Sequence, residues 1–243
     1  MARRRFFVDP VHNGRAQITG EEAHHLSRVL RVEPGQKFEI SDNHNVYLAE
    51  VESARKDLVS FAILDRIDAL EPVVRTTLAA SLIKFERFEW MIEKATELGV
   101  EQVIPVEAER SEKGLAAAAP KRGARWNRIA REASEQSRRA RLPVIDPVAS
   151  LANVLRNQAN HRYALEEGVA APILSVMPAE RPTSDHVVVL VGPEGGWTDR
   201  ERAQIGAAGW TAVSLGLQIL RAETAAIAGL SIINAAWLGN REG

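Results

Sequence analysis

The sequence predicts an α/β protein in which a mostly parallel sheet, covered by helices on both sides, follows a small β-rich unit. Strands and helices alternate from Val73 onward, which is typical of a parallel sheet. The run Val187–Val191 is aliphatic throughout and has the pattern of a strand buried on both faces. Before Ala69, by contrast, short segments alternate between apolar and polar residues, as in strands with one solvated face.

The first unit is predicted to contain one helix among its strands. Thr19 and Glu22 have capping-box spacing at the start of a helix that extends to Arg31. The predicted strands are Arg5–Val8, Lys37–Ser41, Val46–Val51 and Leu58–Ile67. Pro72 ends this pattern, so we place the domain boundary at Ala69–Pro72, with domains over residues 1–70 and 73–243.

The second domain is predicted in the same way. A strand at Thr76–Ile83 precedes a helix whose apolar residues recur at helical spacing from Phe85 to Leu98. Glu107–Pro120 is expected to be a loop. Further strands are predicted at Val103–Val106, Val144–Asp146 and Arg162–Glu166, and further helices at Leu151–Gln158 and Pro172–Met177.

A glycine-rich turn, Gly192–Gly196, follows the buried strand directly. Glycine permits positive φ and lets a ligand approach the backbone. Thr198 and Glu201 form a second predicted capping box, so the turn lies between a strand end and a helix start. Ligands of open α/β sheets bind at such strand ends, although an ordinary βα turn has the same composition. No lysine follows Gly196, and G-x-G-x-x-G spacing is absent, which argues against a nucleoside triphosphate.

The strand–loop–helix arrangement then repeats. Ala212–Leu215 is a predicted strand, Gly216–Leu220 a loop, and Arg221 precedes a long helix, Glu223–Leu238. That helix is apolar almost all the way round, so either it is central in one subunit or a second subunit covers it. The two loops can face one small molecule.

Composition excludes several classes of function. The chain has 243 residues, 45% of them hydrophobic, a net charge of −1 and no cysteine, so disulfides, thiolate metal sites and thiol nucleophiles are excluded. The six histidines show no metal-ligand spacing, and we predict no metal. No apolar run approaches the ~20 residues of a membrane span. We expect a cytoplasmic protein without a signal peptide.

A basic segment runs from Lys121 to Arg141 and contains eight basic residues against Glu132 and Glu135. Apolar residues from Trp126 to Ala133 form one face of a helix there, which leaves the arginines on the other. A charged outer face often serves only solubility, but this excess favours RNA contact.

Four stretches resemble one known family. GPEGGWTDRE from Gly192, LGLQILRAETA from Leu215, KFERFEWMIEKATELGV from Lys84 and REASEQSRR from Arg131 occur in the order found in RsmE-type ribosomal RNA methyltransferases of the SPOUT superfamily. The resemblance implies a PUA-like RNA-binding first domain, and a second domain with a C-terminal trefoil knot that binds S-adenosyl-L-methionine. It also implies a homodimer.

The resemblance also implies the site residues. The predicted cofactor contacts are Leu190, Gly192, Pro193, Glu194, Gly195, Gly196, Leu215, Gly216, Ile219, Leu220 and Ala225. The predicted RNA contacts are Arg3, Arg4, Arg125, Arg128, Arg138 and Arg139. Where many relatives have a basic residue, this chain has Gln218, which would weaken one RNA contact if its side chain points at RNA.

The implied reaction is methylation of N3 of a uridine in small-subunit ribosomal RNA, either naked or in the assembled subunit. N3 of neutral uracil carries a proton, so charge on the imide must be stabilised as the proton leaves. Arg221 is the predicted catalytic cation, unless it forms a structural ion pair with Glu194 or Glu223. Glu223 and water both remain candidates for the general base. The alternatives are a SPOUT enzyme acting on a ribose 2′-hydroxyl and a non-catalytic RNA-binding assembly factor.

Overall fold

The computed structural model describes residues 5–69, 71–168 and 170–239. The chain divides into two compact units. The first comprises Met1–Glu71 with Arg131–Leu142, and the second comprises Pro72–Ala130 with Pro143–Gly243.

The first unit is built on a five-stranded sheet. Its elements in chain order are β1 (Arg5–Phe7), β2 (Arg15–Thr19), α1 (Gly20–His24), a π-helix (His25–Val29), β3 (Lys37–Ser41), β4 (Val46–Ala54) and β5 (Leu58–Ile67). The strand order is β1-β3-β4-β5-β2. All neighbours are antiparallel except β1 and β3. The side chains of Phe6, Ile40, Val59 and Phe61 are at most 1% exposed and form the centre of this unit's core.

The predicted helix from Thr19 to Arg31 differs from the structure. Thr19 is the N-cap residue, but its side chain makes no capping hydrogen bond. Glu22, the other half of the expected capping box, instead accepts hydrogen bonds from Arg131 at 2.8 and 2.9 Å. The α-helix gives way to a π-helix at His25, and Arg31 lies beyond it with a φ of +50°. A long-range ion pair has therefore replaced the local cap.

The second unit supplies the remaining elements. They are β6 (Arg75–Ser81), α2 (Phe85–Glu97), β7 (Gln102–Glu107), α3 (Leu115–Ala118), a 3-10 helix (Ala119–Arg122), α4 (Gly123–Gln136), β8 (Val144–Ile145), β9 (Ala149–Ser150), α5 (Leu151–Val154), β10 (His161–Leu165), β11 (Ala171–Pro172), α6 (Ile173–Val176), β12 (His186–Val191), α7 (Asp199–Ala207), β13 (Thr211–Ser214) and α8 (Ala222–Leu238). The last turns of α4 belong to the first unit.

The sheet of the second unit is parallel throughout. Its order is β11-β13-β10-β12-β6-β7-β8, with β9 also paired to β7. The central strand β12 is buried on both faces, as its sequence predicts. Val187 and Val189 belong to one apolar cluster, whereas Val188 and Leu190 belong to another on the opposite face. The carboxyl ends of β10, β12 and β13 therefore meet at one edge of a sheet that is covered on both sides.

Helix α8 is less enclosed than its composition indicates. Ala226, Leu230, Ile233 and Trp237 are fully buried and follow helical spacing along one face. Leu238, by contrast, is 54% exposed. Helix α8 is therefore not enclosed on all sides within one chain, and its burial by a second subunit stays a prediction.

Other differences from the sequence predictions are local. The expected loop Glu107–Pro120 contains α3 and the start of the 3-10 helix, and the helices predicted at 151–158 and 172–177 shorten to four residues each. Among the residues that the structure describes, no helix combines the length and apolarity needed to cross a membrane.

Candidate active site

An open cleft lies at the carboxyl edge of the second unit's sheet, with an empty volume of about 570 Å³. Its walls come from the ends of β10, β12 and β13, the loops that follow them, and the start of α8. The lining residues are Leu165, Glu166, Glu167, Val191, Gly192, Pro193, Gly196, Trp197, Ser214, Leu215, Gly216, Gln218, Leu220, Ala222 and Ala225. The two loops that the sequence predicts to face one ligand thus share a single cleft.

Glycine is required in the first loop by close packing and by backbone conformation. A Cβ on Gly192 would lie 3.1 Å from the buried indole ring of Trp197, whose Nε1 donates to the carbonyl of Leu165 at 3.3 Å. Gly196 has a φ of +66°, and its N–H closes the turn onto the Pro193 carbonyl at 2.8 Å. The loop is therefore a compact turn whose backbone is open to the cleft.

Arg110 holds the same loop from the side of β7. Its Nη1 donates to the carbonyl of Gly195 at 2.8 Å and to that of Trp197 at 3.4 Å. A Cβ on Gly195 would lie 3.2 Å from the Cβ of Arg110, so glycine there allows the arginine to approach. Residues next to Arg110 continue this contact, since the N–H of Glu109 donates to Glu201 at 2.8 Å.

The helix after the loop begins as the sequence predicts. The hydroxyl of Thr198 accepts from the N–H of Glu201, and the carboxylate of Glu201 accepts from the N–H of Thr198, so the capping box is confirmed. Glu201 is only 2% exposed. Because both ends of the cap are satisfied, the cap fixes the point at which the chain leaves the cleft.

The second loop follows β13 and has two different faces. Leu215, Gln218 and Leu220 line the cleft, whereas Leu217 and Ile219 are 97% and 78% exposed. Gly216 has a φ of +146°, and the hydroxyl of Ser214 hydrogen-bonds to its N–H and its carbonyl at 3.2 and 2.9 Å. A short polar turn therefore sets the alternation of inward and outward side chains.

Arg221 is the N-cap residue of α8, and its carbonyl accepts from the N–H of Ala225 at 2.8 Å. Its side chain is exposed and makes no hydrogen bond or ion pair with any residue in 5–69, 71–168 or 170–239. The two carboxylates expected to compete for it are bound elsewhere. Arg87 forms an ion pair with Glu194 and lies 3.9 Å from Glu223. Arg221 is not among the residues that line the cleft, although Leu220 and Ala222 on either side of it are, and the described residues leave its guanidinium unpaired.

Glu166 contributes an ionised carboxylate to the cleft wall. The guanidinium of Arg202 hydrogen-bonds it at 2.8 and 3.1 Å and thereby lowers the pKa of Glu166, against the opposing effect of burial. Glu167 lines the cleft beside it and is exposed. One wall therefore offers hydrogen-bond acceptors and negative charge, while Val191, Leu215 and Leu220 offer apolar surface.

Comparison with known proteins agrees with this arrangement. The family described as "RNA methyltransferase domain" matches residues 70–234, and the family described as "RNA methyltransferase PUA domain" matches residues 18–64. The ribosomal RNA small subunit methyltransferase E of Bacillus subtilis is 34% identical over 227 residues, which is 89% of this chain and 88% of the relative. This chain belongs to the ribosomal RNA small subunit methyltransferase E family.

Other members support the same assignment. The methyltransferase E of Mycobacterium tuberculosis is 32% identical over 94% of this chain and 90% of its own length. The crystal structure of methyltransferase E from Neisseria gonorrhoeae, bound to S-adenosylmethionine, superposes with a TM-score of 0.87 at 29% identity, covering 97% of this chain and 98% of that one. The expected PUA-like first unit and the SPOUT-type parallel sheet are thus confirmed. The knot implied by the family resemblance stays a prediction.

Most of the predicted cofactor residues line the cleft. Gly192, Pro193, Gly196, Leu215, Gly216, Leu220 and Ala225 do so. Four do not: Leu190 is fully buried, and Ile219, Glu194 and Gly195 are exposed without lining the cleft. The N–H of Ala225 is used within α8, so this residue offers surface rather than a donor.

Sequence reasoning missed several lining residues. Glu166 and Glu167 follow the end of β10, the strand next to β12 in the sheet. The rule that ligands bind at carboxyl strand ends would have found them if the strand order had been known. Gln218, considered above only for RNA contact, also lines the cleft.

The predicted RNA-contacting arginines are spread along α4 and the segment after it, except Arg3 and Arg4, which lie outside the described residues. Arg125 pairs with Glu89 at 2.8 Å, and Arg138 pairs with Glu39, which also binds Arg5 at 2.8 Å. Arg128 and Arg139 take part in interactions as well. RNA contact by these residues stays a prediction.

Proposed function

We propose that this protein transfers a methyl group from S-adenosyl-L-methionine to N3 of a uridine in small-subunit ribosomal RNA. The observation that carries the proposal is the cleft itself, in which two backbone loops face each other, while Arg221, at the start of the helix that borders the cleft, has no partner for its guanidinium among the described residues. A methyl donor with polar and apolar parts suits such walls, and a free cation suits an acceptor that develops negative charge.

The walls of the cleft fit the cofactor in chemistry. Gly192 and Gly196 leave backbone accessible, Leu215 and Leu220 provide apolar contact, and Glu166 can accept hydrogen bonds from hydroxyl or ammonium groups. When bound, the cofactor supplies a methyl group that its sulfonium already activates.

Arg221 then provides the charge that the acceptor requires. Loss of the N3 proton places negative charge on the uracil imide and its oxygens. A guanidinium with no competing carboxylate can donate to those oxygens as the charge develops, and a preorganised donor of this kind contributes ~3 to 4 kcal/mol. Since the first N–H groups of α8 have no partner within the helix, they add positive potential at the same end.

The proton acceptor is either Glu223 or water. Glu223 is 8% exposed, and its Oε2 has no hydrogen-bond partner among the described residues. The carboxylate of Glu223 therefore keeps one oxygen that no described residue occupies.

The substrate is an unpaired or flipped-out uridine, because N3 lies on the Watson–Crick edge of the base. Arg125, Arg128, Arg138 and Arg139 are the proposed backbone contacts, together with Arg3 and Arg4. We also propose a cytoplasmic homodimer, in which the second subunit covers the exposed side of α8 near Leu238.

Two measurements test the proposal. Isothermal titration calorimetry with S-adenosylmethionine should show binding, and its absence at millimolar cofactor would favour a non-catalytic RNA-binding assembly factor. Nucleoside mass spectrometry, mapped to position, should show one uridine N3-methylation missing from ribosomal RNA of a deletion strain. Loss of a ribose methylation instead, with every base methylation intact, would assign the enzyme to the 2′-hydroxyl.

A further inference from the structure

Arg87 connects the glycine-rich loop to α8 through its side chain. It lies on α2 and forms an ion pair with Glu194 of the glycine-rich loop. Its Nε also lies 3.9 Å from Oε1 of Glu223, in the first turn of α8. One guanidinium therefore contacts a carboxylate of the glycine-rich loop and a carboxylate of α8, two of the elements that border the cleft.

Glu223 is a strong attractor for any cation nearby. Its side chain is 11% exposed, and one of its oxygens has no hydrogen-bond partner among the described residues. A buried, incompletely satisfied carboxylate is costly unless a cation is close. Besides Arg87, the cation nearest to it in sequence is Arg221, only two positions earlier.

The position of Arg221 at the start of α8 also favours its pairing with a carboxylate. A cation at a helix N-terminus faces the positive end of the helix dipole, which disfavours it. A neighbouring carboxylate would relieve that disadvantage. Arg221 nevertheless makes no ion pair within the described parts of the chain, while Glu194 and Glu223 both contact Arg87.

We propose that Arg87 is a positioning residue that occupies Glu194 and Glu223 and so keeps the Arg221 guanidinium available to the methyl acceptor. This inference rests on the proposed function, because it gives Arg221 its catalytic role. Arg87 is well placed for this task, since α2 packs directly against α8 through a shared core that includes Phe88, Met91 and Ile92. Its own position is therefore fixed independently of the loops.

The test asks whether residue 87 acts through its positive charge or through the shape of its side chain. We would measure methyl-transfer turnover, cofactor affinity by calorimetry, and thermal unfolding for Arg87→Gln, Arg87→Lys, Glu223→Gln and the double variant Arg87→Gln/Glu223→Gln. Arg75→Gln is a matched control, because Arg75 also forms a carboxylate pair, with Glu101 at 3.4 Å, but lies at the start of β6 rather than at the carboxyl edge.

Arg87→Gln should lower turnover on the order of tenfold to a hundredfold, as expected when an oxyanion-stabilising donor is partly withdrawn. Arg87→Lys should keep most of the turnover because it retains the charge. In the Glu223→Gln background, Arg87→Gln should have a much smaller effect. Equal losses for Gln and Lys, full turnover of Arg87→Gln, or an unchanged effect in the Glu223→Gln background would each overturn the proposal.

A crystal structure of Arg87→Gln gives a readout that does not depend on activity, and it decides the question even if Glu223→Gln is inactive. Arg221 should then lie within ion-pair distance of Glu223 or Glu194, and an unpaired Arg221 would overturn the inference. Should Arg87→Gln not fold, Arg87→Met keeps a long side chain without its charge, and Arg221 should lie within ion-pair distance of Glu223 or Glu194 in its crystal structure; an unpaired Arg221 there would overturn the inference. Full turnover of Arg221→Ala would instead show that the proposed function of Arg221 is wrong.

Discussion

The basic segment and the cleft use arginine in opposite ways. Arg125, Arg131 and Arg138 each contact a glutamate from another element, namely Glu89, Glu22 and Glu39. At the glycine-rich loop and the start of α8, Glu194 and Glu223 contact Arg87, and Arg221 makes no ion pair within the described residues. The segment with the larger local charge thus has much of it compensated, whereas a single cation in a nearly neutral stretch is available. Charge counted along a sequence does not measure charge available to a ligand.

The largest expected effect is that of Arg221→Ala. Turnover should fall about a hundredfold to a thousandfold, which corresponds to ~3 to 4 kcal/mol of transition-state stabilisation, because the imide charge loses its donor. Cofactor affinity and thermal unfolding should stay near wild type, since the side chain has no partner in the described structure. Single-turnover kinetics would measure this effect. A loss of cofactor binding instead would make Arg221 a binding residue.

The next effect concerns the paired arginines. Replacing Arg125, Arg128 and Arg138 together by alanine should weaken RNA binding and reduce the slope of log affinity against log salt by at most about one per residue. We expect less than the full change because Glu89 and Glu39 already compensate two of these charges. Filter binding over a salt series would measure it, with Arg75→Ala as the control. An unaltered slope would leave these arginines with a structural role alone.

Arg110→Ala should act on the cofactor rather than on the reaction. Without its hydrogen bonds to the carbonyls of Gly195 and Trp197, the glycine-rich loop loses one restraint, and we expect cofactor affinity to fall about tenfold with little change in kcat. Arg200→Ala is the matched control, because that side chain is 74% exposed and pairs with the neighbouring Glu109. A fall in kcat at saturating cofactor would contradict the prediction that Arg110 acts on cofactor binding alone.

The smallest effect is a pH-dependent one at the cleft wall. Hydrogen bonding by Arg202 lowers the pKa of Glu166 from its ordinary value near 4.5, so the unfolded chain binds a proton there more readily than the folded one. The resulting stabilisation is complete above the unfolded pKa and disappears as the pH falls through the lower, folded value. Arg202→Ala should therefore cost less than about 1 kcal/mol at neutral pH, and the difference should vanish in acid.

Urea denaturation of both proteins, from neutral pH to below 4.5, would measure this effect. A difference that grows as the pH falls would mean that Arg202 contributes through packing rather than through the ionised form of Glu166.

Local patterns predict much of this fold. The β12 strand, the capping box at Thr198 and the two loops of the cleft depend on neighbouring residues, and the structure confirms them. The capping box at Thr19 was wrong because Glu22 binds Arg131, more than a hundred residues away. The exposed side of α8 was likewise unpredictable, since apolar composition does not say which side a sheet covers.

The sequence predicts the backbone loops of the candidate site well, but it predicts less well which side chains line the cleft. Glycines at strand ends identify the loops, but Leu190 and Ile219 point away from the cleft because of the strand's pleat and the turn at Gly216. Glu166 comes from a strand whose neighbours in the sheet are not its neighbours in the sequence. Long-range strand order, not local pattern, decides which of these residues meet.

Helix α4 has a consequence for attempts to dissect the protein. It begins in the second compact unit and ends in the first, so each unit includes part of the same helix. A fragment that stops at Glu71 would lack Arg131 and Arg138, so Glu22 would lose its counterion and Glu39 would keep only Arg5. Excising the PUA-like half intact therefore requires a graft of residues 131–142 rather than a simple truncation, and gene fusions or chimaeras should exchange that stretch together with the amino-terminal part.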